Sequence, residues 1–267
     1  MTIDFEEEIK KLLLSHKNEY PERLYSAMEY AVLGGGKRIR PQLCFLSAQF
    51  CEVEEKKVLP LALAIECIHS YSLVHDDLPC MDNDTLRRNK PTVHVVYGEA
   101  MALLCGDALL NLAYETLFDA AEKDPELLPA CKLIASCAGA SGMVGGQAME
   151  FDGTELTEEI LYTLDGKKTG KLIEAATMAP ALLSYAPKKI TALSSYAKYA
   201  GLAFQLADDL LDAEKNEPTN FVTVIGKEKT LFVLSSLCRK TEDLLSKWGE
   251  KGDKLLSFFK LLAYRNH

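Results

Sequence analysis

Residues 63–82 read LAIECIHSYSLVHDDLPCMD, and residues 201–212 read GLAFQLADDLLD. Both are otherwise apolar stretches with helical spacing, and both contain clustered aspartates. Carboxylates are unfavourable in apolar helices unless a cation holds them. Because Mg²⁺ prefers a few carboxylates together with substrate phosphates, the two clusters predict a metal site that binds a diphosphate. The alternative is a pair of solvated acidic helix ends.

The spacing within each cluster indicates how its carboxylates converge. Asp208 and Asp212 are four residues apart and therefore share one face of a helix. Asp76 and Asp82 are separated by a longer gap that contains Pro79. The first helix is therefore expected to end or kink there and to turn Asp82 back toward the same site. Two acidic clusters that face each other would repel, which is a further reason to expect bridging cations.

The composition is that of a soluble globular protein. The chain has 267 residues, of which 48% are hydrophobic, and a mean hydropathy of −0.03, so it is long enough to bury a sizeable core. The net charge of −9 and the lack of a dominant basic stripe argue against nucleic acid as a partner.

The cysteines and the N-terminus predict a cytoplasmic protein. The eight cysteines are scattered through apolar stretches without a Cys-x-x-Cys pair, which is typical of free buried thiols in a reducing cytosol. The opening MTIDFEEEIKK resembles neither a signal nor a transit peptide. We expect no apolar run of membrane-spanning length.

Apolar residues recur at helical spacing almost throughout, and strand alternation is not convincing anywhere. We therefore predict a single all-α domain over residues 1–267, a helical bundle whose site is built between facing helices. The predicted helices span residues 3–16, 22–33, 41–50, 55–77, 99–121, 125–150, 156–185, 188–213 and 227–247.

A glycine turn with basic neighbours, GGGKRIRP at residues 34–41, precedes a predicted helix. Its proline suits a helix start. Backbone amides at such a start, together with Lys37 and Arg40, can cradle a phosphate. The alternative is a connecting turn with solvated cations, but beside two acidic clusters a second anion site is expected.

Two adjacent arginines follow the first acidic cluster, in LRRNKPT at residues 86–92. Neighbouring side chains point to different sides of the chain, so Arg87 and Arg88 could each bind a separate phosphate group. Simple charge balance with Asp82 and Asp84 is the alternative.

Other candidate ligands are weaker when taken singly. The segment KKTG at residues 167–170 is expected to start a helix and to place a cation, a hydroxyl and free amides together. Gln205 lies three residues before Asp208 on roughly the same face, and His69 lies two helical turns before Asp76.

Taken together, HSYSLVHDDLPCMDNDTLRRNKPT, GGGKRIRP, KKTG and GLAFQLADDLLD closely resemble the short-chain trans-prenyl diphosphate synthases, especially bacterial farnesyl diphosphate synthases and related geranylgeranyl enzymes. The resemblance runs from about residue 25 to residue 226, and its motifs occur in the right order. It implies an all-α isoprenoid-synthase-type homodimer whose helices surround a central cavity.

Position by position, the resemblance implies three sets of site residues. Several Mg²⁺ ions would be held against the allylic diphosphate by Asp76, Asp77, Asp82 and Asp208, supported by Asp209 and Asp212. The allylic substrate would also be contacted by Arg87, Lys168, Thr169 and Gln205. Isopentenyl diphosphate would be held by Lys37, Arg40, His69 and Arg88.

The implied activity is Mg²⁺-dependent condensation of isopentenyl diphosphate with dimethylallyl or geranyl diphosphate, giving farnesyl diphosphate. Alternatives are a geranylgeranyl diphosphate synthase, a catalytically silent regulatory subunit of a heteromeric synthase, and a metal-dependent diphosphate hydrolase. A terpene cyclase is disfavoured by the form of the second cluster, Asp-Asp-Leu-Leu-Asp, and by the GGGKRIRP segment.

Product length is predicted from the helix that carries Asp76. The growing hydrocarbon tail must run from Asp76 along this helix toward the preceding residues. Tyr71 lies five residues back, roughly 7–8 Å along the axis, and its ring can close the pocket floor. By the resemblance, an aromatic residue here suits a farnesyl product.

The chain departs from the resemblance at two places. Asn89 stands where the family usually has glycine. After Asp212 the chain has only AEKNEPTNFVTVIG, so about a dozen residues and one lysine are absent, Pro218 takes the approximate place of a second lysine, and Asn220 that of a threonine. Either the protein lacks two phosphate ligands, or the sequence omits a disordered loop. Retention of both acidic clusters favours the omitted loop.

Overall fold

The computed structural model of the protein describes residues 3–153, 156–215 and 219–264. These residues are almost entirely helical, so the all-α prediction is confirmed. The α-helices are α1 (Phe5–Ser15), α2 (Glu22–Leu33), α3 (Ile39–Cys51), α4 (Glu55–Asp76), α5 (Val93–Tyr97), α6 (Glu99–Lys123), α7 (Leu128–Ala138), α8 (Met143–Phe151), α9 (Glu158–Asp165), α10 (Lys171–Ala181), α11 (Pro187–Leu211), α12 (Phe221–Ile225), α13 (Lys227–Leu245) and α14 (Gly249–Ala263). One small antiparallel hairpin pairs β1 (Leu86–Arg87) with β2 (Lys90–Pro91).

The helices form two compact units. The first contains the chain up to Phe45 and Glu55–Cys131, and the second contains Leu46–Glu54 and the chain from Lys132 onward. The single domain over residues 1–267 stays a prediction.

In the first unit, α4 packs along α6. The imidazole of His75 lies against Gly106, where an added Cβ would come within 2.0 Å of Nε2. The same ring nitrogen hydrogen-bonds the carbonyl of Leu103 at 3.0 Å. Glycine at position 106 therefore permits the close approach that fixes the C-terminal end of α4, where the first acidic cluster begins.

In the second unit, α11 is the central helix and packs against α10, α13 and α14. Tyr196 is fully buried and donates a hydrogen bond to the carbonyl of Leu255 at 3.1 Å. At Gly201 an added Cβ would lie only 3.0 Å from the Cα of Gly170. This close crossing brings the segment around Gly170 to the face of α11 that carries Gln205.

The KKTG segment does not start a helix, so that prediction is wrong. Gly166–Gly170 forms a π-helical segment that joins α9 directly to α10. Its amides therefore lie inside a continuous helix, whereas the prediction required the free amides of a helix start. Such single-turn π segments are frequent at functional sites, because the extra residue re-aims the side chains.

Seven of the eight cysteines are buried free thiols, as predicted, whereas Cys80 is exposed. The exception follows from the turn after α4, which places residue 80 outside the helical core.

Three helical stretches are long and apolar enough to cross a membrane by length and composition: Glu55–Asp76, Glu99–Lys123 and Pro125–Phe151. The expectation that no run reaches this length is therefore wrong. In the first stretch 67% of the most apolar window is buried inside the protein. Its apolar side chains thus serve the packing of α4 in its own unit.

Candidate active site

The first acidic cluster turns back on itself, as the sequence predicts. Helix α4 ends at Asp76, and the amide of Asp82 donates a hydrogen bond to the carbonyl of Asp76 at 2.9 Å. Asn83 has a φ of 56° and donates to the carbonyl of Leu78 at 3.1 Å, which closes the turn. Asp76 is half-buried and Asp82 is exposed. The turn therefore brings the backbones of the two predicted metal ligands together.

Asp77 has a different environment. It is buried, with 3% of its surface exposed. Its Oδ1 accepts a hydrogen bond from Nε of Arg87 at 2.6 Å and forms an ion pair with Nη2 of the same side chain at 2.5 Å. Nη2 of Arg87 also lies 3.3 Å from Oδ2 of Asp84. This forked ion pair holds Arg87 at the end of the acidic turn. A metal role for Asp77 stays a prediction.

The hairpin β1–β2 separates the two arginines. Arg88 and Asn89 occupy its turn with φ values of 55° and 60°, a left-handed conformation that asparagine tolerates well. The substitution of glycine by Asn89 therefore fits the turn. Arg87 extends to Asp77, while Arg88 donates a hydrogen bond to the carbonyl of Gly35. The prediction that the two side chains point to different sides is confirmed.

The predicted isopentenyl diphosphate residues lie in the first unit. Burial, and then Arg40 and Arg88, lower the pKa of His69 well below its usual value, so the imidazole is neutral at neutral pH. The guanidinium of Arg88 rests on Gly36, where an added Cβ would come within 2.5 Å of Nη1. Lys37 is exposed on the same turn. A neutral donor or acceptor surrounded by cations is suited to an anionic ligand.

The second acidic cluster lies at the C-terminal end of α11. Asp212 caps the helix, and its amide donates to the carbonyl of Asp208 at 2.9 Å. Both aspartates are half-buried. Because they are one turn apart, they lie on one face, as predicted.

Asp209 anchors the segment that follows. It is buried, with 5% of its surface exposed, and its carboxylate accepts from Nε2 of Gln205 at 2.8 Å and from the amide of Phe221 at 2.5 Å. Nδ2 of Asn220 donates to the Asp209 carbonyl at 3.0 Å, while Oδ1 of Asn220 caps α12 through the amide of Val222 at 2.7 Å. Asn220 thus provides a cap that ties α12 to α11.

The sequence continues without interruption from Asp212 to Asn220, so the prediction of an omitted loop is wrong. The short connection belongs to the protein itself, and the anchoring of Asn220 on Asp209 shows how α12 begins without a longer loop. Pro218, the predicted replacement of a second lysine, lies outside the described residues.

The π segment presents Lys168 and Thr169. Lys168 pairs with Glu150 of α8, and Oγ1 of Thr169 donates to Oε1 of Gln205 at 3.0 Å. Gln205 in turn donates to Asp209. The structure therefore joins two of the predicted contacts of the allylic substrate, Thr169 and Gln205, in one hydrogen-bonded row with Asp209, while Lys168 pairs separately with Glu150. Sequence reasoning missed Glu150, which stands on α8 without a distinguishing motif.

Asp165 is a second residue that sequence reasoning missed. It ends α9 with 5% of its surface exposed, and its Oδ2 is sealed from solvent without a hydrogen-bond partner. Burial, and then the charge of Asp209, raise the pKa of Asp165 to about 8. Because Asp209 accepts strong donors, Asp165 is the carboxyl that holds a proton at neutral pH. It borders a cavity of about 200 Å³ together with Tyr162, Gly170 and Leu202.

Replacing Asp165 with asparagine should flatten the pH dependence of stability. The raised pKa means that the folded state keeps this proton between about pH 4 and pH 8 while the unfolded chain releases it. The contribution of Asp165 to the free energy of unfolding is therefore full below pH 4. It declines by up to about 1.4 kcal/mol per pH unit as the pH rises toward 8. Chemical unfolding gives the free energy of unfolding at pH 5 and pH 8. Relative to the wild type, the value for Asp165→Asn should be higher at pH 8 than at pH 5.

The matched control for this experiment is Asp253→Asn, which changes an exposed aspartate of α14 in the same unit. Its free energy of unfolding should follow the wild type at both pH values. An equal difference between Asp165→Asn and the wild type at both pH values would contradict a proton held by Asp165.

Tyr71, the predicted floor residue, is buried in α4 with 6% of its surface exposed. Burial, followed by the nearby Tyr114 and Asp76, raises the pKa of Tyr71 to about 12. Its ring meets the ring of His75 edge-on at 5.7 Å between centroids. The phenol is thus fixed one turn before the acidic cluster.

The donor set of the two clusters fits Mg²⁺. Among the described residues, no three side chains of histidine, cysteine, aspartate or glutamate are gathered as a complete metal centre. Each cluster instead offers paired half-buried or exposed carboxylates. Mg²⁺ is usually bound by one or two carboxylates and takes its remaining ligands from substrate phosphates and water.

Comparison with known proteins identifies the family of this chain. The sequence profile described as "Polyprenyl synthetase" matches residues 21–242. A farnesyl diphosphate synthase from Geobacillus stearothermophilus is 45% identical over 74% of this chain and 69% of its own length. The heterodimeric geranylgeranyl pyrophosphate synthase large subunit 1, chloroplastic, from Arabidopsis thaliana is 36% identical over 92% of this chain and 73% of its own length.

A solved structure gives the same result for the fold. The geranyltransferase from Legionella pneumophila superposes with a TM-score of 0.90 at 33% identity, covering 98% of this chain and 95% of that one. The chain therefore belongs to the polyprenyl synthetase family of trans-prenyl diphosphate synthases.

Proposed function

We propose that this protein is a cytoplasmic, Mg²⁺-dependent enzyme that condenses isopentenyl diphosphate with an allylic diphosphate and releases farnesyl diphosphate. The observation that carries the proposal is the divergence of two adjacent arginines. Arg87 is fixed by Asp77 at the acidic turn, and Arg88 is fixed over the glycine turn near His69. One hairpin thereby serves two separate anion-binding groups, as a reaction between two diphosphates requires.

The chemistry needs no protein nucleophile. Asp76, Asp82, Asp208 and Asp212 would hold Mg²⁺. When bound, the metal would stabilise the negative charge that develops on the departing diphosphate. Lys168 and Thr169 would donate to the oxygens of that diphosphate as the allylic C–O bond breaks. Arg40, Arg88 and His69 would orient isopentenyl diphosphate.

The electron pair of the broken C–O bond leaves with the diphosphate and creates an allylic cation. The isopentenyl double bond then forms the new C–C bond to that cation. The released diphosphate finally accepts a proton from the condensed product, and this loss restores a double bond. The residues of the chain orient the two substrates and stabilise charge throughout.

The proposal is tested by mass spectrometry of the products formed from isopentenyl and geranyl diphosphates with Mg²⁺. We expect farnesyl diphosphate, and its formation should stop when a chelator removes the metal. Geraniol or geranyl phosphate without any longer prenyl chain would instead indicate a diphosphate hydrolase.

Trimming Tyr71 to alanine should lengthen the product. The ring is buried one turn before Asp76, so its removal opens space along α4 for one or more further isoprene units. The main product should shift from 15 to at least about 20 carbons, since removing the ring frees the length of about one helical turn. Chromatography of the dephosphorylated products checks this shift.

The control for Tyr71 is Tyr114→Phe, which keeps the bulk of a neighbouring ring on α6 and removes only its hydroxyl. It should leave the product length unchanged. An unchanged profile for Tyr71→Ala would show that another residue forms the floor.

A silent regulatory subunit is the second candidate, and the short connection after Asp212 favours it. Two lysines expected in this region by the resemblance are missing from the sequence, so the allylic diphosphate loses two cationic contacts. The relative from Arabidopsis named above is itself a subunit of a heterodimer. We favour an active enzyme because Arg87, Lys168 and both acidic clusters are retained.

We also propose a homodimer. Helix α6 exposes the large apolar side chains Leu103, Leu104 and Phe118, which are 49%, 52% and 68% exposed, and exposed apolar surface on a helix is a candidate association surface. A second copy of the chain would cover them. Sedimentation velocity checks this expectation, and a monomer at micromolar concentration would contradict it.

A further inference from the structure

Arg38 lies between the two predicted phosphate ligands Lys37 and Arg40, but its own side chain is not available to a phosphate. The side chain is 7% exposed. Its guanidinium donates to Glu66 at 2.6 Å, to the carbonyl of Val32 at 2.7 Å, and to the two carboxylate oxygens of Glu6 at 2.6 and 3.1 Å. Four of the five guanidinium hydrogens are thereby used.

The two carboxylates around Arg38 differ in their surroundings. Glu66 is buried in α4, with 2% of its surface exposed, and it lies one helical turn before His69. Glu6 belongs to α1, and its side chain is 57% exposed. Arg38 therefore connects the N-terminal helix, the glycine turn and the helix that carries His69.

The glycine turn has little local stability of its own. Gly35 and Gly36 have φ values of 99° and 131°, and Arg38 itself has a φ of 45°, a conformation that costs a non-glycine residue energy. Three glycines in succession also leave the unfolded turn highly mobile. The position of Lys37 relative to His69 therefore depends on the contacts that fix Arg38, together with the hydrogen bond from Nε2 of Gln42 to the carbonyl of Lys37 at 2.6 Å. Arg40 follows two residues later, in the first turn of α3.

Helix α1 is held in place independently of Glu6. Phe5 is buried and meets the ring of Phe45 edge-on, with 6.3 Å between centroids. Ile9 and Leu13 continue the same buried face. The carboxylate of Glu6 can therefore be altered without removing the helix from the protein.

We propose that Glu6 is a positioning residue for the isopentenyl diphosphate site and acts through Arg38. The inference rests on the proposed function for the identity of the ligand. Glu6 and Glu66 clamp the guanidinium from two helices, and the clamp sets where the backbone of the turn places Lys37 and Arg40. The N-terminal helix is thus part of the machinery that binds the second substrate.

The sign of the effect separates this role from a simple charge effect. Removing a carboxylate near a cationic site would strengthen the binding of an anion through the electrostatic field. Loosening the contacts of Arg38 with Glu6 would weaken the binding of the anion, because Lys37 and Arg40 would no longer be preorganised. Glu6→Gln should therefore raise the Kd for isopentenyl diphosphate, and not lower it.

Glu7→Gln is the matched control. Glu7 is the next residue of α1, its side chain is exposed, and the substitution removes the same charge. Glu6→Asp is the second variant, since it keeps the charge but shortens the reach by one methylene. All three proteins should keep the buried face of α1.

The experiment measures the Kd for isopentenyl diphosphate by calorimetry, and the KM for both substrates, in all four proteins. In Glu6→Gln we expect the Kd and KM for isopentenyl diphosphate to rise at least about fivefold, as loss of a charge-assisted contact typically does. Glu6→Asp should give a smaller rise. The allylic KM, and all values for Glu7→Gln, should stay within about twofold of the wild type.

An unchanged or lowered Kd in Glu6→Gln, an equal rise in Glu7→Gln, or an equal rise in the allylic KM would overturn the inference. If Glu6→Gln does not fold, the Kd of Glu6→Asp decides by the same criteria. If the wild type binds isopentenyl diphosphate but forms no product, the proposed function fails while the calorimetric comparison still decides the role of Glu6. If the wild type does not bind isopentenyl diphosphate at all, both fail.

Discussion

Replacing Asp208 with alanine should lower the rate of prenyl transfer by about 10²–10³-fold or more, as loss of a preorganised charge stabiliser does. Asp208 is half-buried at the C-terminal end of α11, in hydrogen-bonded register with Asp212. Without its carboxylate the metal would keep too few protein oxygens on this helix to stabilise the charge that develops on the leaving diphosphate. Single-turnover kinetics at saturating substrate measure the effect on the chemical step.

Asp253→Ala is the matched control for Asp208→Ala, since it removes an exposed aspartate of α14 in the same unit. It should retain the wild-type rate. The Mg²⁺ concentration needed for half-maximal activity should rise in Asp208→Ala and not in the control. Undiminished turnover in Asp208→Ala would remove the second acidic cluster from the mechanism.

Replacing Asp77 with alanine should both weaken catalysis and destabilise the first unit. Asp77 is 3% exposed and is held by Arg87 through one hydrogen bond from Nε and an ion pair with Nη2, and the side chain of Arg87 is 31% exposed. The change leaves a half-buried guanidinium with Asp84 as a distant partner at 3.3 Å. We expect a loss of about 1–3 kcal/mol in the free energy of unfolding, typical of a buried charge that loses its partner while keeping some solvent contact.

A double-mutant cycle with Arg87→Ala tests whether the two residues act as a unit. If Asp77 serves mainly to hold Arg87, the allylic KM of the double variant should be close to that of Arg87→Ala alone. Fully additive effects would contradict this and would favour an independent metal-binding role for Asp77. Chemical unfolding of the wild type, the two single variants and the double variant gives the coupling free energy between Asp77 and Arg87 in stability.

The long helices were predictable because their apolar spacing is regular. Helix α11 was predicted over 188–213 and spans Pro187–Leu211, and α4 was predicted over 55–77 and spans Glu55–Asp76. The helix predicted over 125–150 breaks between Ala138 and Met143 instead. Glycines at 139 and 142 provide that break. The short helices α5 and α12 fall outside the prediction because five residues contain no readable period. Helix α14 (Gly249–Ala263) also falls outside it, because its first six residues, GEKGDK, include two glycines and no large apolar side chain.

The charged residues of the site were predictable in kind but not in their pairing. The aspartate clusters and the basic turns stand out in sequence, whereas the partner of Lys168, Glu150, lies 18 residues away on another helix. Asp165 was missed because a single aspartate at the end of a helical pattern resembles an ordinary helix terminus. Only the fold reveals that Asp165 is buried, directly before the π segment.

The short connection after Asp212 shows the opposite case, in which the sequence was read correctly but explained wrongly. The resemblance predicts about a dozen further residues after Asp212, and from this follows the expectation of an omitted loop. The structure instead starts α12 at Phe221, next to the cap supplied by Asn220, with the amide of Phe221 bonded to Asp209 at 2.5 Å. The cap supplied by Asn220 and the buried carboxylate of Asp209 together fix the start of α12.

The central claim is that this chain alone is a competent prenyl synthase despite its short connection. It is tested most directly by incubating the purified protein, without any partner, with dimethylallyl and isopentenyl diphosphates and Mg²⁺, and by counting product molecules per chain. We expect many turnovers to farnesyl diphosphate, abolished by a chelator and by Asp208→Ala. No prenyl product of ten or more carbons, or product formed only after a second protein is added, would contradict the claim and establish the silent-subunit alternative.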